Sequence, residues 1–264
     1  MLGVDRTHLL INSETQVARS HYNSYLRLVE RRAHGEPLQY ITGHQEFYGL
    51  DFIVNPSVLI PRPETELVVD RVIDLAQQFN EESLLVADIG TGSGCIAVAV
   101  AVHVKSATVI ATDLSEAAIE VARANAERHG ATDRIRFFNG DLFKPFAERG
   151  LREAISIFAS NPPYVDREEP DLIQREVHDW EPHAALFGGE GGSSFHRRLL
   201  HEGFEYAKAG GYFVFEIGYR QINSITRMIA ESPWTLIDVK SDLQGIPRTV
   251  TVRKPLEQAG PVRV

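Results

Sequence analysis

From Leu84 onward the chain alternates short apolar, β-branched runs with helical segments, and that alternation is the signature of a doubly wound parallel sheet. Residues 84–88, 108–112, 135–138, 155–160 and 211–217 read as strands. A helix is expected from about Ser93, carrying Ile96, Val98, Ala99 and Val100. A second runs from an N-cap at Ser115 to His129, with Gly130 at the position that favours a left-handed residue. Residues 195–208 and 221–230 read as two more helices, and 236–239 with 249–253 as a closing hairpin at the sheet edge. A length of 264 residues suits one large α/β domain with a small appendage.

Four polar residues stand at the carboxyl ends of four successive strands: Asp88, Asp113, Asp141 and Asn161. Open α/β sheets bind ligands there, where the strand order reverses. A single aspartate after a strand is commonplace, but four such residues beside a glycine loop form a candidate site. The loop, Asp88-Ile89-Gly90-Thr91-Gly92-Ser93-Gly94, has glycine at every second position, so backbone can pass close under a ligand. Its spacing departs from the dinucleotide fingerprint, and no lysine follows as in a phosphate-binding P-loop. Asp113 stands where a carboxylate accepts both hydroxyls of a ribose. A nucleoside with no pyrophosphate to cradle points to S-adenosylmethionine, with NAD as the competing cofactor.

The fourth strand runs into Asn161-Pro162-Pro163-Tyr164. Neither proline can donate a ladder hydrogen bond, and each fixes its own φ, so the strand stops in a stiff elbow. Asn161 precedes a proline and is pushed toward extended backbone. The elbow offers an amide side chain, a carbonyl with no local partner and an aromatic ring. That set suits a planar group with N–H donors, although Asn-Pro pairs also mark ordinary turns.

Composition narrows the classes of partner. No apolar stretch approaches the roughly 20 residues of a membrane helix, and the first residues lack the pattern of a secretory signal or transit peptide. Cys95 is the single cysteine, which excludes an internal disulfide and fits a reducing cytoplasm. Ten histidines are scattered without metal-ligand spacing, so no metal is expected. A net charge of −9 argues against nucleic acid as the main partner.

Ahead of the sheet, residues 1 to about 35 read as helical, with Leu9, Leu10, Val17, Tyr25, Leu26 and Val29 as the expected buried positions. Arg27, Arg31 and Arg32 form either a solvated face or a partner contact. Residues 45–48 and 50–54 flank Gly49 as a short hairpin. In Leu59-Ile60-Pro61-Arg62-Pro63-Glu64-Thr65-Glu66 the prolines force an extended approach, and a helix opens at Glu64 or Thr65 with Val68, Val72, Leu75, Ala76 and Phe79 on one face. Glu64 and Glu66 favour that helix's dipole or border the cleft. Residues 165–194 read as a long functional loop. Cys95, Trp180 and Phe47 are expected to pack rather than to bind.

Residues 86–96, Val-Ala-Asp-Ile-Gly-Thr-Gly-Ser-Gly-Cys-Ile, resemble the first motif of class I methyltransferases. Together with the proline–arginine stretch at 59–66 and Asn161-Pro162-Pro163-Tyr164, the chain resembles the release factor glutamine methyltransferases (the HemK/PrmC family). Supporting matches are Gly35-Glu-Pro-Leu-Gln-Tyr-Ile-Thr-Gly43, Glu46-Phe47 and Glu181-Pro-His-Ala-Ala-Leu186, so the likeness spans about Arg31 to Arg253. The Asn-Pro-Pro-Tyr motif alone is shared with enzymes that methylate amines of DNA and RNA.

The resemblance implies a Rossmann-like class I methyltransferase, an α/β fold with a seven-stranded, mostly parallel sheet. A small N-terminal helical domain (1–36), shorter than is usual in the family, and a β-hairpin linker (37–60) would precede the methyltransferase domain (61–264). It implies methyl transfer from S-adenosylmethionine, leaving S-adenosylhomocysteine, to the glutamine of the Gly-Gly-Gln motif in class 1 peptide chain release factors. A cytoplasmic monomer is expected. Asn161 Oδ1 and the Pro162 carbonyl would accept the two amide hydrogens, with Pro163 stiffening the elbow and Tyr164 against the amide plane. Asp113 would hold the ribose, Gly90, Thr91, Gly92, Ser93 and Gly94 the methionine part, and Asp141 the adenine amine with Leu142 beside the ring. Asp88 would order the glycine loop or reach the ammonium group. The alternatives are an exocyclic-amine methyltransferase on DNA or RNA, a glutamine methyltransferase of a ribosomal protein, and a cofactor-binding module without catalysis.

Overall fold

The computed structural model describes residues 2–79, 83–168 and 173–256. Two helices, α1 (Arg6–Ile11) and α2 (Arg19–Ala33), precede a short α3 (Leu38–Thr42) and the antiparallel pair β1 (His44–Phe47) and β2 (Leu50–Ile53). Tyr48 and Gly49 between them both take positive φ, 53° and 72°, and such a turn matches the right-handed twist of the strands it joins.

The six apolar residues expected to be buried near the N-terminus are not. Leu9, Leu10, Val17, Tyr25, Leu26 and Val29 are all exposed, and α2 buries no residue. The periodicity marks apolar positions, but none of the described residues forms a layer over them. The polar ties of α2 to the rest of the chain gather at its last turn, where Arg31 pairs with Glu36 and Arg32 donates to Glu176 and to the Glu36 carbonyl.

A 3-10 turn at Pro63–Thr65 leads into α4 (Glu66–Ala76). Next come β3 (Leu84–Ile89), α5 (Cys95–His103), β4 (Ala107–Asp113), α6 (Glu116–Arg128), β5 (Ile135–Asn139), α7 (Lys144–Ala147) and β6 (Ile155–Ser160). After the elbow lie α8 (Arg175–Trp180), α9 (His183–Leu186), α10 (Ser194–Tyr206), β7 (Ala207–Glu216), α11 (Ile222–Ala230), β8 (Thr235–Ser241) and β9 (Pro247–Arg253). The stretch expected to be one irregular loop therefore carries two short helices; residues 169–172 of it lie outside the described residues.

The large sheet has seven strands in the order β5-β4-β3-β6-β7-β9-β8, parallel from β5 to β7 and closed by antiparallel β9 and β8. Strand order reverses between β3 and β6, so the crevice at their carboxyl ends is the ligand position of this topology. Neighbouring residues within each strand face opposite layers. Val86, Val109, Ile157 and Val214 pack with α4, α5 and α6, while Ala87, Ile110, Phe158 and Phe213 pack with α10 and α11. Helix α5 is sandwiched deeply enough that all residues from Ile96 to Ala101 are buried. Each such valine, isoleucine or phenylalanine contributes about 1.5–3 kcal/mol on burial. Ser115 caps α6 by accepting from the Ala118 N–H at 3.2 Å, and Gly130 beyond it takes φ 62°.

Candidate active site

A cavity of about 280 Å³ lies over the switch point between β3 and β6. The glycine loop, Asp113, Asp141, Leu142 and the first three residues of the elbow line it. The proline–arginine stretch and α9 supply further walls through Leu59, Pro61, Arg62, Thr65, Ala184 and Ala185.

Asp88, next to last in β3, is fully buried. Its Oδ2 accepts from the Thr91 hydroxyl at 2.6 Å and from the Ala97 N–H at 3.1 Å, tying the glycine loop to the first turn of α5. Its Oδ1 has no hydrogen-bond partner among the described residues. Burial pushes this carboxyl up to about 7, because removal from water disfavours the charged form. Asp113 binds the same loop from β4, accepting from Gly92 N–H at 2.8 Å and from Ser115 N–H at 2.9 Å. Burial also raises its pKa, against those backbone donors. Gly90 and Gly92 take φ 76° and 55°, and a Cβ on either would meet no protein atom within 4 Å. Both residues line the cavity, so the space a side chain would occupy is left to a ligand. Gly94 has a different reason for lacking a side chain: a Cβ there would sit 3.0 Å from the Ala122 methyl on α6.

Asp141 follows β5, and Arg198 on α10 holds both its carboxylate oxygens, at 3.1 and 2.9 Å. Each oxygen keeps a second lone pair. Leu142 beside it adopts φ 44°, an uncommon value for a branched residue. Cys95 lines the cavity and also packs against the core, and burial raises its thiol to about 12. Phe47 is fully buried, and Trp180 packs partly buried against a small cluster with Tyr40, Val58 and Ile60.

At the elbow, Asn161 Nδ2 donates to Thr65 Oγ1 at 2.9 Å, and Thr65 donates in turn to Glu216 Oε2 at 2.5 Å. Glu216 Oε1 accepts from the Tyr164 hydroxyl at 3.0 Å. The Tyr164 hydroxyl is thereby turned onto a buried carboxylate, and Tyr164 does not line the cavity. Gln221 clamps the elbow from β7's side, donating to the carbonyls of Tyr164 and Gly192 at 2.9 and 3.1 Å. Asn161 Oδ1 and the Pro162 carbonyl have no hydrogen-bond partner among the described residues, and both residues face the cavity. Across it, Arg62 pairs with buried Glu181 at 2.5 Å, and the other oxygen of Glu181 accepts from Ile60 N–H at 3.1 Å.

A family model described as the PrmC N-terminal domain matches residues 1–43, and one described as the methyltransferase small domain matches residues 69–181. A release factor glutamine methyltransferase of Koribacter versatilis is 44% identical over 96% of this chain and 88% of its own length. One of Geobacter sulfurreducens is 40% identical over 94% of this chain and 84% of its own. The chain belongs to the release factor glutamine methyltransferase family.

Two solved methyltransferases support the class I architecture. One from Pyrococcus furiosus has TM-score 0.56 and 21% identity, covering 89% of this chain and 99% of its own. The N-terminal domain of human METTL16, solved with S-adenosylhomocysteine, has TM-score 0.56 and 16% identity over 78% of this chain and 76% of its own. As a member of its family this methyltransferase is an S-adenosylmethionine-dependent glutamine methyltransferase. The residues lining the cavity fit that cofactor: open glycine faces at Gly90 and Gly92, and carboxylates on Asp113 and Asp141 for hydroxyl and amine donors. Among the described residues no helix is long and apolar enough to cross a membrane.

Thr65, Glu181, Glu216 and Gln221 are the functional-site residues that sequence reasoning missed. For Glu216 a signal existed, since a carboxylate inside the run Phe213-Val214-Phe215-Glu216-Ile217 is an anomaly that demands a buried partner.

Proposed function

We propose that this methyltransferase acts on the side-chain amide nitrogen of the glutamine in the Gly-Gly-Gln motif of class 1 peptide chain release factors, in the cytoplasm. The observation that carries the reading is the pair of unpartnered acceptors at the elbow, Asn161 Oδ1 and the Pro162 carbonyl. A primary amide has two N–H donors, and two fixed acceptors satisfy both while aiming the nitrogen into the cavity. Residues 61–264 form the catalytic domain, behind a helical segment at 1–36 and a linker at 37–60. That the relatives are release factor glutamine methyltransferases supports the release factor as partner.

When bound, S-adenosylmethionine supplies a methyl carbon activated by a positively charged sulfur. Asp113 would hold the ribose hydroxyls, and the backbone from Gly90 to Gly94, with Thr91 and Ser93, would bind the methionine portion. Asp141 would receive the adenine amine beside Leu142, and Asp88 keeps the glycine loop in shape.

An amide nitrogen is a poor nucleophile because its lone pair is delocalised into the carbonyl. Asn161 and Pro162 counter this by drawing electron density toward nitrogen through its hydrogens and by fixing the direction of its lone pair. Orientation of this kind supplies about 7–11 kcal/mol in favourable intramolecular systems, and fixed dipoles stabilise charge where it develops. No strong base is needed first, since the proton leaves after nitrogen has become positive. Pro163 keeps the elbow stiff, and Tyr164 anchors it through Glu216.

The test is incubation of the enzyme with labelled S-adenosylmethionine and a purified release factor, alongside a factor whose tripeptide glutamine is replaced. Label is expected in the first alone. Asn161→Ala should abolish transfer while cofactor affinity, measured by calorimetry, stays within about twofold. Label in nucleic acid instead, or full activity in Asn161→Ala, overturns the reading.

A further inference from the structure

The relay behind the elbow has a direction. Glu216 is buried at the end of β7 with the Tyr164 hydroxyl on one oxygen and the Thr65 hydroxyl on the other. Thr65 has one proton to give. While Glu216 is ionised, Thr65 at 2.5 Å gives that proton to it, because two bare oxygens at that separation would repel. Its lone pair is then all it can offer Asn161, and Asn161 must answer with its NH₂ group, as it does at 2.9 Å. The carbonyl end of the Asn161 amide is left for the cavity. An amide can rotate end for end at little steric cost, so packing alone does not fix which end faces outward.

We propose that Glu216, acting through Thr65, is a positioning residue that dictates which end of the Asn161 carboxamide meets the substrate, so that the site accepts an NH₂ group and rejects a carboxylate. The inference rests on the reading above that a carboxamide nitrogen is methylated, and deepens it. A glutamine side chain finds an acceptor for its N–H. The glutamate of the same size finds an oxygen facing its own negative oxygen. Discrimination against the missing donor is strong in sites built this way, because the site's own polar group is left unpaired.

A polarity relay of this kind reverses when its terminal acid is protonated. With a proton on Oε2, Glu216 donates to Thr65, Thr65 donates to Asn161, and the amide turns its oxygen inward and its NH₂ toward the cavity. The groups facing Glu216 are Thr65 and Glu64 from the approach to α4, Tyr164 from the elbow and Arg248 from β9, with His196 of α10 bonded to its backbone carbonyl at 2.9 Å. Burial outweighs Arg248 and both hydroxyl donors, and the carboxyl is pushed up to about 7. The relay therefore switches within the ordinary working range of pH.

The experiment compares wild type, Thr65→Val, Thr65→Ser and Glu216→Gln, using a release factor with its tripeptide glutamine and one with glutamate there. Wild type should bind the glutamine factor at least tenfold more tightly than the glutamate factor at pH 8. Its kcat should fall as pH drops from 8 to 6. In Thr65→Val that binding ratio should shrink to within about threefold, with kcat down by ten- to a hundredfold, no acid limb, and cofactor affinity unchanged. Thr65→Ser, which keeps the hydroxyl, should restore both the ratio and the limb. Glu216→Gln cannot titrate and should lose the limb. Methyl transfer by wild type combined with an unchanged ratio in Thr65→Val, or with an unchanged limb in Glu216→Gln, overturns the relay alone. Absence of transfer to glutamine by wild type overturns the functional reading beneath it.

Discussion

Substituting Gly188 by alanine tests whether the elbow's position is set from outside. Gly188 has an ordinary φ, so alanine there brings no backbone strain of its own. The obstacle is steric: the new Cβ would fall 2.5 Å from the Pro163 carbonyl oxygen and closer still to that of Gly192. Ordinary contact begins near 3.4 Å, so the glycine strap, Gly188-Gly189-Glu190-Gly191-Gly192, and the elbow must part by about 0.9 Å on the Pro163 side. Both obstacles are backbone, and the strap is pinned to the elbow by Gly188 N–H on the Val165 carbonyl at 2.9 Å and by the Gln221 clamp. Overpacking of this size costs roughly 1–3 kcal/mol of stability, which a domain with roughly 5–15 kcal/mol survives. A displacement near 1 Å at a reacting group costs on the order of a hundredfold in rate, or about 2.7 kcal/mol of activation free energy. Single-turnover methyl transfer at saturating cofactor is the assay, with cofactor affinity and a melting curve measured alongside. Gly245→Ala is the control. It takes φ 78° in the turn between β8 and β9 with nothing within 4 Å, so it should lose roughly 1–2 kcal/mol of stability and no activity. If Gly188→Ala turns over within threefold of wild type, the strap does not hold the elbow and the argument from contact distances fails.

Two further outcomes follow from the buried charges. Arg62→Ala leaves the Glu181 carboxylate, 1% exposed, with only a backbone N–H, and should cost about 3–5 kcal/mol in urea unfolding; adding Glu181→Gln to that variant should recover part of it. Asp88 and Glu216 are both raised to about 7 from ordinary values of 3.8 and 4.5. The folded state then holds protons that the unfolded state has released, so stability is highest below that window and falls as pH rises through it. Each group contributes up to about 3–4 kcal/mol. Glu36, Asp179 and Asp242 are shifted downward, so their contributions change at lower pH. Unfolding measured between pH 5 and 8 should show the decline, and Asp88→Asn should flatten it.

The sheet was legible because its parallel strands are apolar on both faces, and the switch point because Asp88, Asp113, Asp141 and Asn161 each stand within two residues of the carboxyl end of a strand. Local chemistry also spoke plainly at Ser115, at Gly130 and at Gly49, though Tyr48, expected in the strand, belongs to the turn. Burial at the N-terminus was not legible, since the spacing of Leu9, Leu10, Leu26 and Val29 identifies an apolar side without saying that anything packs on it. The supports of the site were missed for a different reason. Thr65 meets Glu216 across 151 positions and Arg62 meets Glu181 across 119, and no periodicity carries information over such separations. Tyr164 shows the same limit within a motif: its presence was read, but the direction of its hydroxyl is decided by Glu216.

Three holds converge on the elbow: the glycine strap at 188–192, Gln221, which bonds both that strap and the elbow, and the Thr65–Glu216 relay. Two prolines already make this corner stiff, so additional restraint is explained only if orientation as well as position matters. Stiffness from proline acts on φ and leaves the Asn161 side chain free to rotate. Only a directional chain of donors fixes that rotation, and such a chain needs a buried terminal acceptor with a strong preference for receiving protons. A carboxylate is the side chain that provides it, and burial raises its pKa, so the residue that orients the amide is also one whose ionisation costs the fold stability. Replacing Glu216 by a well-packed apolar residue should accordingly leave a protein at least as stable above pH 7 but one that has lost its grip on which end of Asn161 faces the substrate.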